Sequence, residues 1–389
     1  MKKRILGFIV CSFFAVSALA GCGSSSTASS NVKSSASSAK ASSSESSSAN
    51  SSSSKASSSK ASSSESSASD TGDFKLKKGN YVIGLSNAYF GNTWRKQMVD
   101  CFTNAAEKAK TDGYIKDYEI QNGDGTVNSQ IAQINSFILE GVDAIVIDSA
   151  SETALNSSIQ QALDAGITVV SFDSVVNLDG VYKMDYPWAD IGKASVDFMA
   201  KKYDGKGKYI VVRGVSGAAP DQGIYSGITE ELKKYPDMNI EAQVIGQASA
   251  TVTQQELLKI LDSYPDVDGV ITHCGGDAIG VVNAFDQLNR KMPTIIGDNT
   301  GEFIQWWLKQ DGYDTLSQGS TPGCGGAAFW VALDILNGYD VPQSMMLSIP
   351  RVTTDNLQDY KDLKAGEFIS PDFTDEYVMK NIIDAAKSK

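Results

Sequence analysis

The sequence predicts an α/β fold with two doubly wound parallel-sheet lobes, and three observations carry that expectation. Short β-branched or apolar runs alternate with longer amphipathic stretches along most of the chain. Runs such as Ala144-Ile145-Val146-Ile147 are apolar at every position, as strands covered by helices on both faces must be. The part of the chain with this pattern, 74–389, is too long for one ordinary core and suits two domains of roughly 150 residues each.

Taken in order, the first strand is expected at 81–86 and its helix at 93–112, with Asn92 or Thr93 as cap. A buried strand at 144–149 is followed by an amphipathic stretch over 152–165. Further strands are expected at 168–173, 209–213, 270–273 and 294–298, each leading into a helix-like segment. Cys101 falls on the apolar face of the first helix and reads as a small core residue. Trp306 and Trp307 cannot share one helix face, so one is read as core and the other as a lobe or partner contact, with a partly exposed surface Trp as the equal alternative. Gly123-Asp124-Gly125 and Gly323-Cys324-Gly325-Gly326 lack phosphate-loop spacing and the dinucleotide fingerprint. They read as helix starts that approach a ligand or the other lobe, with Asp124 or Thr126 as cap.

Upstream, Lys2, Lys3 and Arg4 precede an apolar run over 5–20, which reads as an export signal at 1–21. The run ends in Leu19-Ala20-Gly21-Cys22, which looks like a bacterial lipobox in which Cys22 becomes the new N-terminus and carries lipid. The stretch 24–69 holds 28 serines and no Leu, Ile, Phe, Met, Tyr or Trp, too little apolar surface to offset the cost of ordering. Residues 22–73 are therefore read as a tether, with a span of about 35–40 Å as a flexible coil. No other apolar run approaches the ~20 residues of a bilayer span. Once Cys11 is removed and Cys22 lipidated, Cys101, Cys274 and Cys324 remain, an odd number that cannot form a full disulfide framework.

Charge and composition exclude several functions. A net charge of −12 repels phosphate and argues against nucleic acid. His273, the one histidine of the chain, has no partner recognisable from sequence, and no Gly-x-Ser-x-Gly elbow is present. His273, Cys274, Asp277 and Cys324 offer metal-ligand atoms, but neighbouring strand residues point to opposite faces, so no metal site is expected. Nothing selects a pair of carboxylates for glycoside hydrolysis. No catalytic residue and no cofactor is expected.

In parallel α/β sheets, ligands bind outside the carboxyl ends of the strands. Those ends are rich in polar and aromatic groups at 87–95, Asp173-Ser174, 214–222, His273-Cys274-Gly275-Gly276-Asp277, Asp298-Asn299 and 317–321. A sugar presents an apolar C–H face and a rim of hydroxyls. Phe90 and Trp94 suit the face, while Asn92, Arg95, Asp173 and Asp298 suit the rim. Each alone has a structural alternative: Asn92 as helix cap, Trp94 as core, Arg95 as solvated surface charge.

The segments Gly84-Leu85-Ser86-Asn87 with Asn92-Thr93-Trp94, Leu139-Glu140-Gly141-Val142-Asp143-Ala144-Ile145-Val146, Ala165-Gly166-Ile167-Thr168-Val169-Val170-Ser171-Phe172-Asp173, Asp190-Ile191-Gly192-Lys193, Gly214-Val215-Ser216-Gly217 and Ile296-Gly297-Asp298-Asn299 follow one another in a familiar order. Over 74 to about 349 the chain resembles the ribose-binding-protein type of ABC-importer substrate-binding lipoproteins. The resemblance implies the type I periplasmic binding protein fold, two lobes that close on a ligand about a three-crossing hinge. Crossings then fall near Met184-Asp185, Ser320-Thr321 and Ile349-Pro350, with one lobe from 74–184 plus 321–349 and the other from 185–320 plus 350–389. The family's Asn-x-aromatic contact falls on Asn92 and Trp94, and its aspartate after the fourth strand on Asp173.

Elsewhere the chain departs from the ribose pattern. Ser174 stands for an arginine, and a second arginine position falls on Ile224, with Asp221 and Gln222 just before it. Arg95 stands for an aromatic ring, Cys274 for an asparagine, Asn299 for an aspartate beside Asp298, and Ser320 for a glutamine. A different hydroxyl pattern is being read. The resemblance implies a monomeric, lipid-anchored receptor on the outer face of the cytoplasmic membrane that captures a monosaccharide or sugar-like molecule and passes it to a permease and ATPase complex. Phe90 and Trp94 would stack on the ligand, and Asn92, Arg95, Asp173, Asp221, Gln222, Asp277, Asp298, Asn299 and Ser320 would meet its hydroxyls. The alternatives are a same-fold receptor for a signalling molecule such as a furanosyl autoinducer, or one serving a chemoreceptor, and a secreted carbohydrate-active enzyme. A LacI-type regulator would need a helix-turn-helix where this chain has a signal and a serine tether.

Overall fold

The computed structural model describes residues 75–388, so the export signal, Cys22 and the serine tether lie outside the described residues. The chain opens with β1 (Tyr81–Asn87), α1 (Thr93–Asp112), β2 (Ile115–Asn122), α2 (Val127–Glu140), β3 (Ala144–Asp148), α3 (Asn156–Asp164), β4 (Thr168–Phe172) and β5 (Tyr182–Asp185). It continues with α4 (Trp188–Lys202), β6 (Lys206–Arg213), α5 (Ala219–Glu231), β7 (Asp237–Ile245), α6 (Ala250–Ile260), β8 (Gly269–Thr272), α7 (Asp277–Gln287), β9 (Thr294–Ile296), α8 (Gly301–Trp307) and β10 (Ser317–Gln318). Last come α9 (Cys324–Leu336), β11 (Ser344–Met346), β12 (Arg351–Val352), α10 (Asp375–Val378) and α11 (Asp384–Lys387), the final two joined by a π-helical turn.

Two parallel sheets result. One has six strands in the order β11-β5-β4-β3-β1-β2, the other four in the order β7-β6-β8-β9, and β10 pairs with β12 as a short antiparallel ribbon. β3 is buried at every residue, as its uninterrupted apolar run requires. β2 and β7 escape the sequence pattern because they are edge strands, half exposed and studded with Lys116, Asp117, Glu119, Asn239 and Glu241. β5 and β11 escape it because they are only four and three residues long.

α1 begins where Asn92 accepts a hydrogen bond from Arg95 N and ends at Gly113, whose φ of 79° continues no helix. Its buried stripe, including Trp94, Met98, Phe102, Ala105 and Ala109, packs against α9. A Cβ at Gly325 would lie 2.7 Å from the Met98 carbonyl, and one at Gly326 would lie 2.9 Å from that of Cys101. The glycine-rich start of α9 thus admits another helix of its own lobe, with the Phe102 and Phe329 rings edge to face at 5.4 Å. Trp307 is core, and Trp306 packs over Phe303 and Tyr313.

The chain passes between the sheets at 186–187, 319–323 and 347–350. A fourth passage departs from the expected assignment of 350–389 to the second lobe. Up to residue 369 the chain does stay there: β12 pairs with β10, and Ile369 N donates to the Asn299 carbonyl. Ser370 Oγ then accepts from Gly323 N at 2.9 Å, and α10, α11 and the turn between them settle on α9 and β11. The cause is apolar: Val378, Ile382 and Ile383 are buried in the core that holds Phe329 and Trp330. Residues 375–388 therefore complete the first lobe.

Candidate functional site

The carboxyl ends of the two sheets face one another across a cavity of about 570 Å³. Asn92, Trp94, Arg95, Ser149 and Asp173 line it from the first lobe, and Asp221, His273, Cys274 and Asp298 from the second. Ser320 lines it from the passage at 319–323, and Trp188 and Phe368 from second-lobe residues beside the passages. The size suits one small molecule.

On the first wall, Arg95 stands in the opening turn of α1, where the Asn92 cap fixes the helix start. Its Nη1 donates to Asn87 Oδ1 at 3.1 Å and pairs with Asp148, a carboxylate fully buried behind the wall. Burial pushes the Asp148 carboxyl up, and Arg95 opposes that rise. Asp173 follows β4 with a left-handed φ of 55°, a conformation Asp tolerates better than most residues. Burial raises its pKa to about 6, opposed by Arg95 and by the Ser320 side chain, and its Oδ1 has no partner. The Trp94 indole donates to the Ser320 carbonyl at 3.4 Å, with the Arg95 guanidinium 5.7 Å from the ring centre.

The loop beyond β1 puts Tyr89 on the cavity wall, whereas Phe90 is 39% exposed and lies off it. A Cβ at Gly91 would overlap the far end of the Tyr89 ring and push that partly exposed side chain aside. After β2, Thr126 caps α2, and Asp124 and Gly125 line the cavity.

On the second wall, Arg213 at the end of β6 grips Asp221 with two bonds, Nε to Oδ1 at 2.9 Å and Nη2 to Oδ2 at 2.5 Å. Gly214 N donates to the same carboxylate at 2.8 Å, and His273 Nδ1 lies 2.7 Å from it. Burial alone would raise the Asp221 pKa, but His273 and Arg213 override it and hold it at about 2. Burial lowers the His273 pKa against the pull of Asp221, so the ring is neutral at pH 7. Asp298 accepts from Ala278 N at 3.0 Å, at the start of α7, and from Thr300 Oγ1 at 2.9 Å, while burial raises its pKa to about 6. Cys274 lies among Asp277, Asp221, Asp298 and Asp173, and burial first, then these charges, push its thiol well above the usual range.

Asn92, Trp94, Arg95, Asp173, Asp221, Asp298 and Ser320 are thus brought to one cavity, while four other expected residues are not. Asp277 is fully buried and binds Thr253 Oγ1 at 2.7 Å, tying α7 to α6. Asn299 donates to the Pro350 carbonyl at 2.9 Å and accepts from Ser317 Oγ at 2.9 Å, which fastens a passage between lobes. Gln222 is exposed and donates to the Gly217 carbonyl at 3.1 Å. Phe90 is the fourth. Each adjoins a residue that does line the cavity or stands a few positions from one, and along a helix start or turn the next side chain points elsewhere.

Sequence reasoning missed His273, and its partner is a correction to the view that it has none: Asp221 lies 52 positions away, joined only by the fold. It also missed Trp188 and Phe368, which reach the cavity from beside the passages. The one available signal was position, since His273 directly follows β8.

Residues 83–340 match the family described as periplasmic binding protein domain. A xylitol-binding protein of Mycolicibacterium smegmatis is 25% identical over 268 residues, covering 64% of this chain and 73% of that one. The galactofuranose-binding protein YtfQ of Escherichia coli is 24% identical over 305 residues, covering 72% and 92%. Among solved structures, an ABC transporter solute binding protein from Thermobispora bispora superposes with a TM-score of 0.75 at 34% identity, over 79% of this chain and 96% of that one. The family match runs from within β1 through α9, taking in every strand of the two parallel sheets but β11, and the chain belongs to the periplasmic binding protein family.

Proposed function

We propose that this protein is the receptor of an ABC importer for an uncharged polyhydroxylated solute, a monosaccharide or a polyol. The carrying observation is the charge balance of the cavity wall. Arg95 is matched by Asp148 and Asp221 by Arg213, so an anionic solute would meet no unbalanced cation. What remains for a ligand is indole surface from Trp94 and Trp188, guanidinium and amide donors from Arg95 and Asn92, and carboxylate acceptors from Asp173 and Asp298. Relatives named for binding xylitol, galactofuranose and D-apiose support the same solute class. Because the groups come from both lobes, a bound solute favours the closed arrangement over the open one, which is what differential affinity requires.

Binding, not catalysis, fits the His–Asp pair. His273 Nε2 touches no nucleophile, and the Cys274 thiol is held protonated. The protein would be exported, retained by lipid on Cys22 and held near its permease by the serine-rich segment. The test is a thermal-shift screen of the chain lacking residues 1–22 against pentoses, hexoses, polyols, inositols and furanosyl signals. A solute at 100 times its Kd should add about 2.7 kcal/mol, a rise of a few degrees in Tm. No response to any of these would overturn the solute class.

A further inference from the structure

We infer that His273 reads one hydroxyl of the solute with a single permitted polarity: Nε2 is a fixed acceptor, and the solute must donate to it. The inference rests on the polyol reading above and adds to it a contact that neither sequence spacing nor family resemblance assigns. Asp221 is surrounded by donors whose identity cannot change. Arg213 Nε and Nη2 and Gly214 N all give protons to it, at 2.9, 2.5 and 2.8 Å. A carboxylate so placed stays ionised and can only accept, so His273 Nδ1, at 2.7 Å, must carry the ring proton. In the neutral ring the lone pair is then on Nε2.

That nitrogen is buried and has no partner among the described residues, although His273 belongs to the cavity wall and is 1% exposed. Behind the ring, Tyr225 lies with its centroid 6.5 Å away, and the Arg213 guanidinium sits 4.0 Å over Tyr225, so the ring and its partner are packed as one unit. A buried acceptor with no donor is satisfied when a ligand hydroxyl arrives. An amide at this place could rotate and serve either polarity, whereas this imidazole, while neutral, cannot.

The chain has one histidine, so 15N-histidine labelling of residues 22–389 carrying Cys22→Ser reports on this ring alone. Nδ1 should be protonated and Nε2 bare at pH 7. Xylitol, D-ribose, D-galactose and myo-inositol are the probes, and the one that calorimetry shows to bind should move the Nε2 resonance on saturation. One monodeoxy derivative of that probe should bind about ten- to a hundredfold more weakly than the parent. His273→Phe should bind parent and derivative alike, because the hydroxyl has lost its reader. His273→Gln should recover part of the affinity, which separates recognition from loss of folding. A protonated Nε2, or a Nε2 that does not move under a bound probe, overturns this inference alone. Binding of none of the four, together with silence across the wider solute screen above, overturns the solute class beneath it as well.

Discussion

The two walls of the cavity are built on the same ion pair turned opposite ways. On the first, the guanidinium of Arg95 faces the cavity and its carboxylate, Asp148, is buried behind it. On the second, the carboxylate of Asp221 faces the cavity and its guanidinium, Arg213, stands behind. Each pair is balanced within itself, one turning its donor and the other its acceptor to the cleft, while Asp173 and Asp298 add one carboxylate to each wall. A solute with hydroxyls on both sides meets donors and acceptors across the cleft.

The largest expected effect breaks the first pair. Arg95→Ala leaves Asp148 buried without its cation and should cost about 3–5 kcal/mol of stability, with solute affinity lost, by calorimetry and chemical unfolding. Arg213→Ala should do less damage to stability, because its partner Asp221 sits at the cavity and keeps the Gly214 N and His273 bonds. Equal losses in both would erase the contrast between the walls.

Next, Asp173→Asn and Asp298→Asn should each weaken solute binding about ten- to a hundredfold with little change in Tm. Smaller again is the pH response. Burial raises both carboxyls to about 6, whereas Asp221 is held at about 2. Hydroxyls donate to the ionised forms, so affinity should be full above pH 6 and fall by up to about tenfold for each of these carboxylates by pH 5. Stability of the empty protein runs the other way. A pKa raised on folding contributes stability that is complete below the unfolded value, near 4, and is lost as pH rises through 6. Affinity unchanged between pH 7 and 5 would mean that neither carboxylate touches the solute. The smallest effect belongs to Gln222→Ala, expected within twofold of wild type, since that side chain is engaged outside the cavity with the Gly217 carbonyl.

Strands buried on both faces were legible in the sequence because burial leaves an uninterrupted apolar run, as at Ala144–Asp148. The edge strands were not, since β2 and β7 face solvent along much of their length and look like polar loops. Asp173 and Asp298 could be picked out because they stand at the ends of strands that must converge, and Trp94 and Arg95 because they open the helix after β1. What could not be read is which way each neighbour in such a turn points, and this sent Asp277, Asn299, Gln222 and Phe90 away from the cavity. Nor can spacing join Asp221 to His273, a contact made only when β6 and β8 lie side by side. The apolar residues Val378, Ile382 and Ile383 announce a buried segment, but nothing local says which lobe buries it.

That last segment bears on the order in which the protein acquires its structure. The first lobe is closed by α9, β11 and residues 375–388, and Lys77 N reaches Asn337 Oδ1 across 260 positions. The second sheet, by contrast, lies within one nearly continuous stretch, 188–318. As the chain is made from its N-terminus, the lobe begun first is therefore finished last. Until β11 arrives, the outer edge of β5 stays unpaired, an open template that has to be kept from other strands while the remaining residues are still being added.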